Sequence, residues 1–481
     1  MTNSRAKLAA ALAASVMVLG GCGHSSPSAS STASSSATAA PSETSTGTAD
    51  TAAQLDATTV HTIAVTVDDS SLSDMIQVFL DTGEKEWIHG SVTIDGETFT
   101  DVGLKLKGNS SLRGISVDTP AQDLPFRIRL DKYVDDQQFK GISDFTVRSN
   151  SSETSMNEAV ALDLLTDAGL ASTQAIATRF SVNGGDETLR LTVQNLDDTW
   201  VHNYFPDAGA DSVLYKSESD GTWDWNGEDG DYSSSFDIEA GADNYAPLIA
   251  LLDLINNGTE EEIAAQLPDL VDIDSFATYL AFEDVINNFD NIDGPGNNSY
   301  LFWDSATNKF TVVAWDHNLA FGGVGGGMPG MGGDGAMPEG GRPDFGDGTM
   351  PEMPEGGIPE GGRPDFGNGT NVPEGEMPEG FAPPEGAPEG FNPGAGNMGG
   401  PGMSRSNPLV TAFQANADWS ALYDAKLAEL QASLIDGGAL ATSVESWTAT
   451  LESGASDLVS SETITSEGEA ILGSNTTESS Q

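Results

Sequence analysis

The residues with the most chemical content fall in two neighbouring runs. Phe289 to Asn298 reads Phe-Asp-Asn-Ile-Asp-Gly-Pro-Gly-Asn-Asn, and Phe310 to Asp316 ends in Ala-Trp-Asp. Asp and Asn offer hard oxygen donors, which suit Mg2+, Mn2+ or Ca2+. Two such clusters meet in space if the segment between them folds back as a single turn. An EF-hand fits poorly, because Ile292 falls at a ligand position and no closing Glu follows. The chain has no Walker lysine loop, no His-Glu-x-x-His and no Gly-x-Ser-x-Gly elbow. Of its five His, His24 and His61 lie in or beside a low-complexity stretch, which weakens a zinc- or serine-hydrolase reading.

The surrounding pattern supplies the turn. Ile273 to Asn287 has helical spacing, with Phe276, Leu280, Val285 and Ile286 on one side. Ser299 to Trp303 and Phe310 to Trp315 then read as two strands around a turn at Ser305 to Asn308. Further back, Thr59 to Val67 alternates as a strand, and Trp87 to Thr100 reads as a hairpin turning at Asp95-Gly96. Val102 to Lys107, Phe126 to Leu130, Ala177 to Val182 and Leu189 to Val193 are expected strands. Ser155 to Leu170 suits a helix stopping at Gly169. The second half turns helical: Tyr245 to Asn256, Glu260 to Leu267 with Thr259 as N-cap and Pro268 just past its end, Pro408 to Leu434 and Leu440 to Leu451.

Composition bounds the rest. The chain has 481 residues, with 19 Lys plus Arg against 74 Asp plus Glu, a formal net charge of −55. Nucleic-acid binding needs a basic face and is excluded as a general role. One Cys permits neither an intrachain disulfide nor a Cys-based zinc site. That Cys follows Leu19-Gly20-Gly21, after Arg5, Lys7 and the short apolar run Leu8 to Val18. The pattern is that of a bacterial lipoprotein signal, so residues 1–21 are expected to be removed and Cys22 to carry the lipid. Residues 22–58, rich in Ser, Thr and Ala, are expected to form a disordered stalk. A body is expected over 59–322, with its C-terminal helices at 404–460 and a disordered tail at 461–481. Between the two parts of the body, residues 323–403 are Gly, Pro, Met and Glu. There Met337 to Thr349 nearly recurs as Ile358 to Thr370, and the segment is expected to be disordered.

The spacing of the acidic runs has a precedent in protein kinases. There one Asp takes the hydroxyl proton, an Asn five residues on holds a metal, and a later Asp bridges metal to phosphate. Here Asn298 is at i+5 and Asp316 at i+23 from Asp293. The chain resembles the CotH kinase family over about residues 60 to 322 and 404 to 452. The most specific segment runs from Asn291 to Gly322: the Asp-Gly loop, the paired Asn, Tyr300-Leu301-Phe302, and Ala314-Trp-Asp-His-Asn-Leu-Ala-Phe-Gly322. Gly108-Asn109-Ser110-Ser111, Phe139-Lys140-Gly141, Val182-Asn183-Gly184 and Leu214-Tyr215-Lys216 support it.

The resemblance implies an α+β, two-lobed, atypical protein-kinase-like fold and transfer of phosphate from ATP to Ser or Thr of proteins. It implies Asp293 as the catalytic Asp, Asp316, Asn298 and Asn318 as the metal side chains, and Lys216 as the lysine on the nucleotide phosphates. The metal would be Mg2+ or Mn2+. Lys216 also reads as a solvated lysine at a strand end. The chain departs from the family pattern in three respects. Asn318 stands where a second acid is usual, Gln194 replaces an acid at a strand end, and Arg127 and Arg129 replace a lysine-bearing strand. The expected protein is anchored to the cell membrane by its lipid, faces outside the cytoplasm, and acts on a protein substrate or surface partner. The alternative is a catalytically silent surface module holding Ca2+ at the acidic loop.

Overall fold

The computed structural model describes residues 55–323 and 407–474. The signal, nearly all of the stalk and the Gly/Pro-rich insertion, expected at 1–21, 22–58 and 323–403, lie outside the described residues except at their edges, as does Cys22. Seven strands come first: β1 (His61–Val67), β2 (Ile88–Ile94), β3 (Glu97–Leu106), β4 (Phe126–Arg129), β5 (Asp144–Val147), β6 (Ala175–Val182) and β7 (Thr188–Gln194). They close into a barrel in the order β1-β2-β3-β4-β5-β7-β6. The closing pair, β1 with β6, is parallel, with Ile63 opposite Phe180. β1 buries every second residue, as a strand with one face on a core must. The β2–β3 turn uses Asp95 and Gly96, both at positive φ, the geometry a two-residue hairpin requires. Val65, Val92, Leu104, Phe126, Phe145 and Phe180 fill this first core.

A second core gathers around a sheet in the order β11-β10-β8-β9. Its strands are β8 (Val213–Ser217), β9 (Phe236–Gly241), β10 (Ser299–Asp304) and β11 (Lys309–Ala314). The helices are α1 (Asp69–Thr82), α2 (Met156–Asp167), α3 (Asp198–Tyr204), α4 (Ala246–Asn257), α5 (Glu260–Leu270), α6 (Ile273–Val285), the broken turn α7 (Ala320–Gly323), α8 (Pro408–Gln414), α9 (Ala417–Leu430), α10 (Ala439–Gly454) and α11 (Ser461–Ser474). α2 packs on α10 and α11, and α6 on α9. Among the described residues no helix is long and apolar enough to cross a membrane. The molecule is thus α+β, with a strand-rich N-terminal half and a helical C-terminal part; the closed barrel is the feature that strand patterning left open.

Several elements differ from the sequence expectation. Val102 to Lys107 is no separate strand but the far half of β3, which runs on beside a bulge at Gly90/Ser91 of β2. Helix α1 was not expected. Asp68 caps its start by accepting from Ser71 N–H at 3.0 Å, and Gly83 ends it in the left-handed region. Pro268 lies inside α5 rather than past it. It costs the last turn one N–H, yet Val271 N–H still closes on the Leu267 carbonyl at 2.8 Å. The expected helix from 408 to 434 breaks at Ala415, and Asn416 caps α9. The expected tail at 461–481 begins as helix α11, with Ile464 and Ile471 fully buried. At the other end Leu55 is already buried, its N–H donating to Gln174 Oε1 at 2.7 Å, so the ordered chain starts before residue 59.

Candidate active site

The loop between α6 and β10 is held by its own amides. Asn288 is buried and donates from Nδ2 to Glu283 Oε2 at 2.7 Å. Asn291 Nδ2 donates to the Asn288 carbonyl at 2.8 Å, and Asn291 Oδ1 accepts from Asp293 N–H at 2.9 Å. These are the short-range bonds that let Asn organise turns. They bring Asp290 back over the end of the loop. Gly296 N–H donates to Asp290 Oδ1, while Asn298 Nδ2 donates to the Asp290 carbonyl at 3.0 Å and to Oδ2 at 3.1 Å. Gly296 is required by this approach: a Cβ there would sit 2.7 Å from both carboxylate oxygens of Asp290.

The hairpin brings the second acid to the same end. Ser299 pairs with Ala314 across β10 and β11, so Asn298 and Trp315 flank the last rung and Asp316 follows directly. Asp316 has φ 65°, a left-handed conformation for a residue with a side chain. Its Oδ1 lies 3.1 Å from Arg148 Nη1, and Arg148 Nη2 pairs with the buried Glu158 of α2. Burial pushes the Asp290 carboxyl above the usual carboxylate range, and the charge of Asp316 adds to that. A buried carboxyl with a second carboxylate beside it marks a place where positive charge is favoured.

Cations gather beside the acids, although the whole chain is strongly acidic. Lys105 lies on β3 and Lys107 directly after it, and Arg127 on β4 pairs with Lys105. Lys216 on β8 pairs with Tyr300 on β10. Lys107 Nζ lies 5.8 Å and Arg148 Cζ 5.0 Å from the Trp315 ring centre. Burial, together with Arg127 and Lys216 nearby, pushes the Lys107 ammonium down to about 7. Arg127 is itself neutralised, donating to the fully buried Asp144 at 2.8 to 3.1 Å and to Glu239 at 3.2 Å. Despite its burial, Glu239 is held below the usual range by Arg127, Lys107 and Lys216. Lys216 donates to Glu218 at 2.6 Å. A cavity of about 240 Å³ continues this row past Trp87, Lys105 and Arg129 to Asp197 and Asp198, the residues just beyond β7. Four buried polar atoms near the acids and their neighbours have no hydrogen-bond partner among the described residues: Arg148 Nε, Asn157 Oδ1, Tyr300 OH and His317 Nδ1.

The residues singled out by sequence are thus distributed unevenly. Asn298 and Asp316 sit at the open end of one hairpin, as the spacing suggested. Asp293 is exposed; it accepts from Asn407 N–H, where the chain rejoins after the insertion. Asn318 contributes its main chain, its carbonyl accepting from Asn157 Nδ2 at 2.7 Å and Ser151 Oγ at 3.0 Å. Lys216 belongs to the cationic row. Sequence reasoning passed over Asp290, Arg148, Glu158 and Lys107. Asp290 was within the motif but at the wrong spacing for the kinase precedent. Arg148 and Glu158 meet only because β5 feeds directly into α2. Among the described residues no three or more His, Cys, Asp or Glu side chains converge on a metal position.

The family model described as CotH kinase protein matches residues 104–354, just over half of the chain. The chain belongs to the CotH kinase protein family. The CotH match starts in β3 and covers β4 through the hairpin and Asp316, so every side chain described above except Trp87 falls within it. No curated protein matches the sequence.

Proposed function

We propose that this chain is an ATP-dependent phosphotransferase acting on Ser or Thr hydroxyls of proteins, with Cys22 lipidated and the body outside the cytoplasm. The observation that carries the reading is a row of cations, Lys105, Lys107, Arg127 and Lys216, that meets Arg148 over the Trp315 ring through Lys107, with Arg148 paired to Asp316 next to Asp290, in a chain of net charge −55. A nucleoside triphosphate needs both: cations for phosphate oxygens and carboxylates for its metal. The order of elements supports the reading. Arg148 follows directly on β5, the next helix carries its partner Glu158, two strands follow, and Asp316 comes after a later hairpin. A cation on the strand, an acid on the next helix and a metal-holding Asp is the arrangement of protein kinases. The barrel and the helical part would then serve as the two lobes, with the cavity at Trp87 and Asp197 for the nucleoside.

The residues fit a divalent ion that phosphate helps to hold. Asp316 and the Oδ1 of Asn298 supply hard donors, fewer than a closed site has, with Asp290 next to them as the base. Mg2+ commonly binds one or two carboxylates and completes its shell with water and substrate phosphate. The same sparseness weighs against the calcium alternative, since Ca2+ takes six to eight oxygens. A bound Mg2+ or Mn2+ supplies neutralisation of the phosphate oxygens. Arg148 fixes Asp316, and Glu158 fixes Arg148. Asp290 orients the acceptor hydroxyl and takes its proton as the oxygen bonds to the γ-phosphorus and the bond to the β-phosphate oxygen breaks. A carboxyl held above its usual range suits that task better than an ordinary one. Asp293 is the competing base, from the family motif.

The test is label transfer from ATP with Mg2+ or Mn2+ to the chain itself or to added protein. Asp316→Ala and Asp290→Asn should each reduce it by about a hundredfold or more, the scale of a lost catalytic group. Transfer that survives Asp316→Ala would remove the assignment. Absence of nucleotide binding at millimolar ATP would favour the silent surface module.

A further inference from the structure

The C-terminal helix reaches the acid site through one carboxylate. Glu467 on α11 is 9% exposed and holds a loop more than 300 positions earlier in the chain. Its Oε2 accepts from Ser152 Oγ at 2.7 Å, from Thr154 N–H at 3.2 Å and from the Thr154 hydroxyl; its Oε1 accepts from Glu153 N–H at 3.0 Å. The loop needs such a clamp. Asn150 (φ 46°) and Ser155 (φ 52°) bracket it in the left-handed region with no glycine, a conformation that persists only where the surroundings enforce it.

What the clamp controls lies immediately downstream. Met156 N–H donates to Thr154 Oγ1 at 3.1 Å and opens α2. The next two residues are Asn157, which bonds the Asn318 carbonyl, and Glu158, which pairs with Arg148 beside Asp316. Ser151 bonds the same carbonyl from the other side. Loop 151–158 is therefore pinned between the 316–318 segment and α11. Gly468 lets α11 come close, since a Cβ there would lie 3.1 Å from Val444 Cγ1 and 3.2 Å from Thr448 Oγ1.

We propose that Glu467 is a positioning residue: by clamping Ser152 to Thr154, it fixes where α2 presents Asn157 and Glu158 to the Arg148–Asp316 junction. The proposal rests on the phosphotransferase reading. Glutamine at 467 keeps the size but puts an NH2 among donors, so part of the clamp must open. The experiment uses the full chain as wild type, Glu467→Gln, Thr154→Val and the double variant. It measures Mn2+·ATP affinity, label transfer, melting temperature and amide exchange. Expected are an affinity or turnover loss of fivefold or more for Glu467→Gln, a double variant no worse than the weaker single one, and faster exchange confined to about residues 150 to 160. Unchanged nucleotide affinity and turnover in Glu467→Gln, losses that simply add, or loosening spread over the whole chain would overturn the proposal and leave Glu467 as ordinary packing. A wild type that binds no Mn2+·ATP would overturn the phosphotransferase reading itself, a result distinct from a wild type that binds and a variant that binds equally well.

Discussion

Asp290 and Asp293 are three positions apart but belong to different environments. Asp290 is bonded by Gly296 and Asn298 and feels Asp316, whereas Asp293 is exposed and tied to Asn407. Asp290→Asn is therefore expected to lose far more label transfer than Asp293→Asn, and side-by-side initial rates check this. If Asp293→Asn loses more, the family motif has outweighed the local geometry. Lys107 gives a second prediction at this scale. Its ammonium is pushed down to about 7 by burial and by Arg127, against about 10.4 in an unfolded chain. Between those values the unfolded state binds the proton that the folded state has released. Stability then rises with pH across the window and is flat below about 7. Phosphate binding needs the charged form, so nucleotide affinity should fall above pH 7, by up to about tenfold per pH unit. Calorimetric titrations at pH 6.5, 7.5 and 8.5 measure both slopes, and Lys107→Met should flatten them.

At the scale of elements, the loop from Asn288 to Asn298 is a preformed cradle, and its rigidity depends on Gly296. Gly296→Ala should destabilise the fold by about 1 to 3 kcal/mol, the usual cost of overpacking, and should reduce activity more than that loss explains. Thr259→Ala is the matched control. It removes the capping box of α5, at about 1 kcal/mol, and should leave the rate per folded molecule unchanged. Denaturant melts paired with kinetics separate the two. The hairpin that carries the site was legible from the sequence because alternation and the turn at Ser305 to Asn308 agree, and its register follows from them. Helix α1 was not read: Leu72, Met75, Ile76 and Phe79 have helical spacing, but its polar first turn hid them. Helix α11 was not legible: its buried face consists of Ile464, Glu467, Gly468 and Ile471, and a carboxylate and a glycine do not read as core. Arg148, Glu158 and Lys107 escaped for a related reason. Arg148 meets Glu158 across the β5–α2 connection and Asp316 beyond the later hairpin, and Lys107 meets residues of β8 and β9, so each has partners outside the barrel that its own strand pattern does not reveal.

Over the whole molecule, charge is the organising fact. A chain of net charge −55 gathers Lys85, Lys105, Lys107, Arg127 and Lys216 close enough that each perturbs another. That arrangement costs free energy through repulsion and burial and is offset in part by Asp144 and Glu239. An anionic ligand would offset the rest. Removing Asp144 from beneath Arg127, as Asp144→Ala, should destabilise the fold by about 3 to 5 kcal/mol, the cost of stranding a buried charge. The tether proposed at Cys22 is tested by fractionation, with Cys22→Ser expected in the soluble fraction. The central claim is that Asp316 and Asn298, at the two ends of one hairpin, form a cation site that nucleotide phosphates complete. The most direct measurement is a Mn2+ titration by electron paramagnetic resonance, with and without a non-hydrolysable ATP analogue, on wild type and Asp316→Asn. Tight binding of Mn2+ in wild type only when the analogue is present, and its loss in Asp316→Asn, is the predicted result; Mn2+ binding indifferent to the analogue, or undiminished by Asp316→Asn, would contradict it.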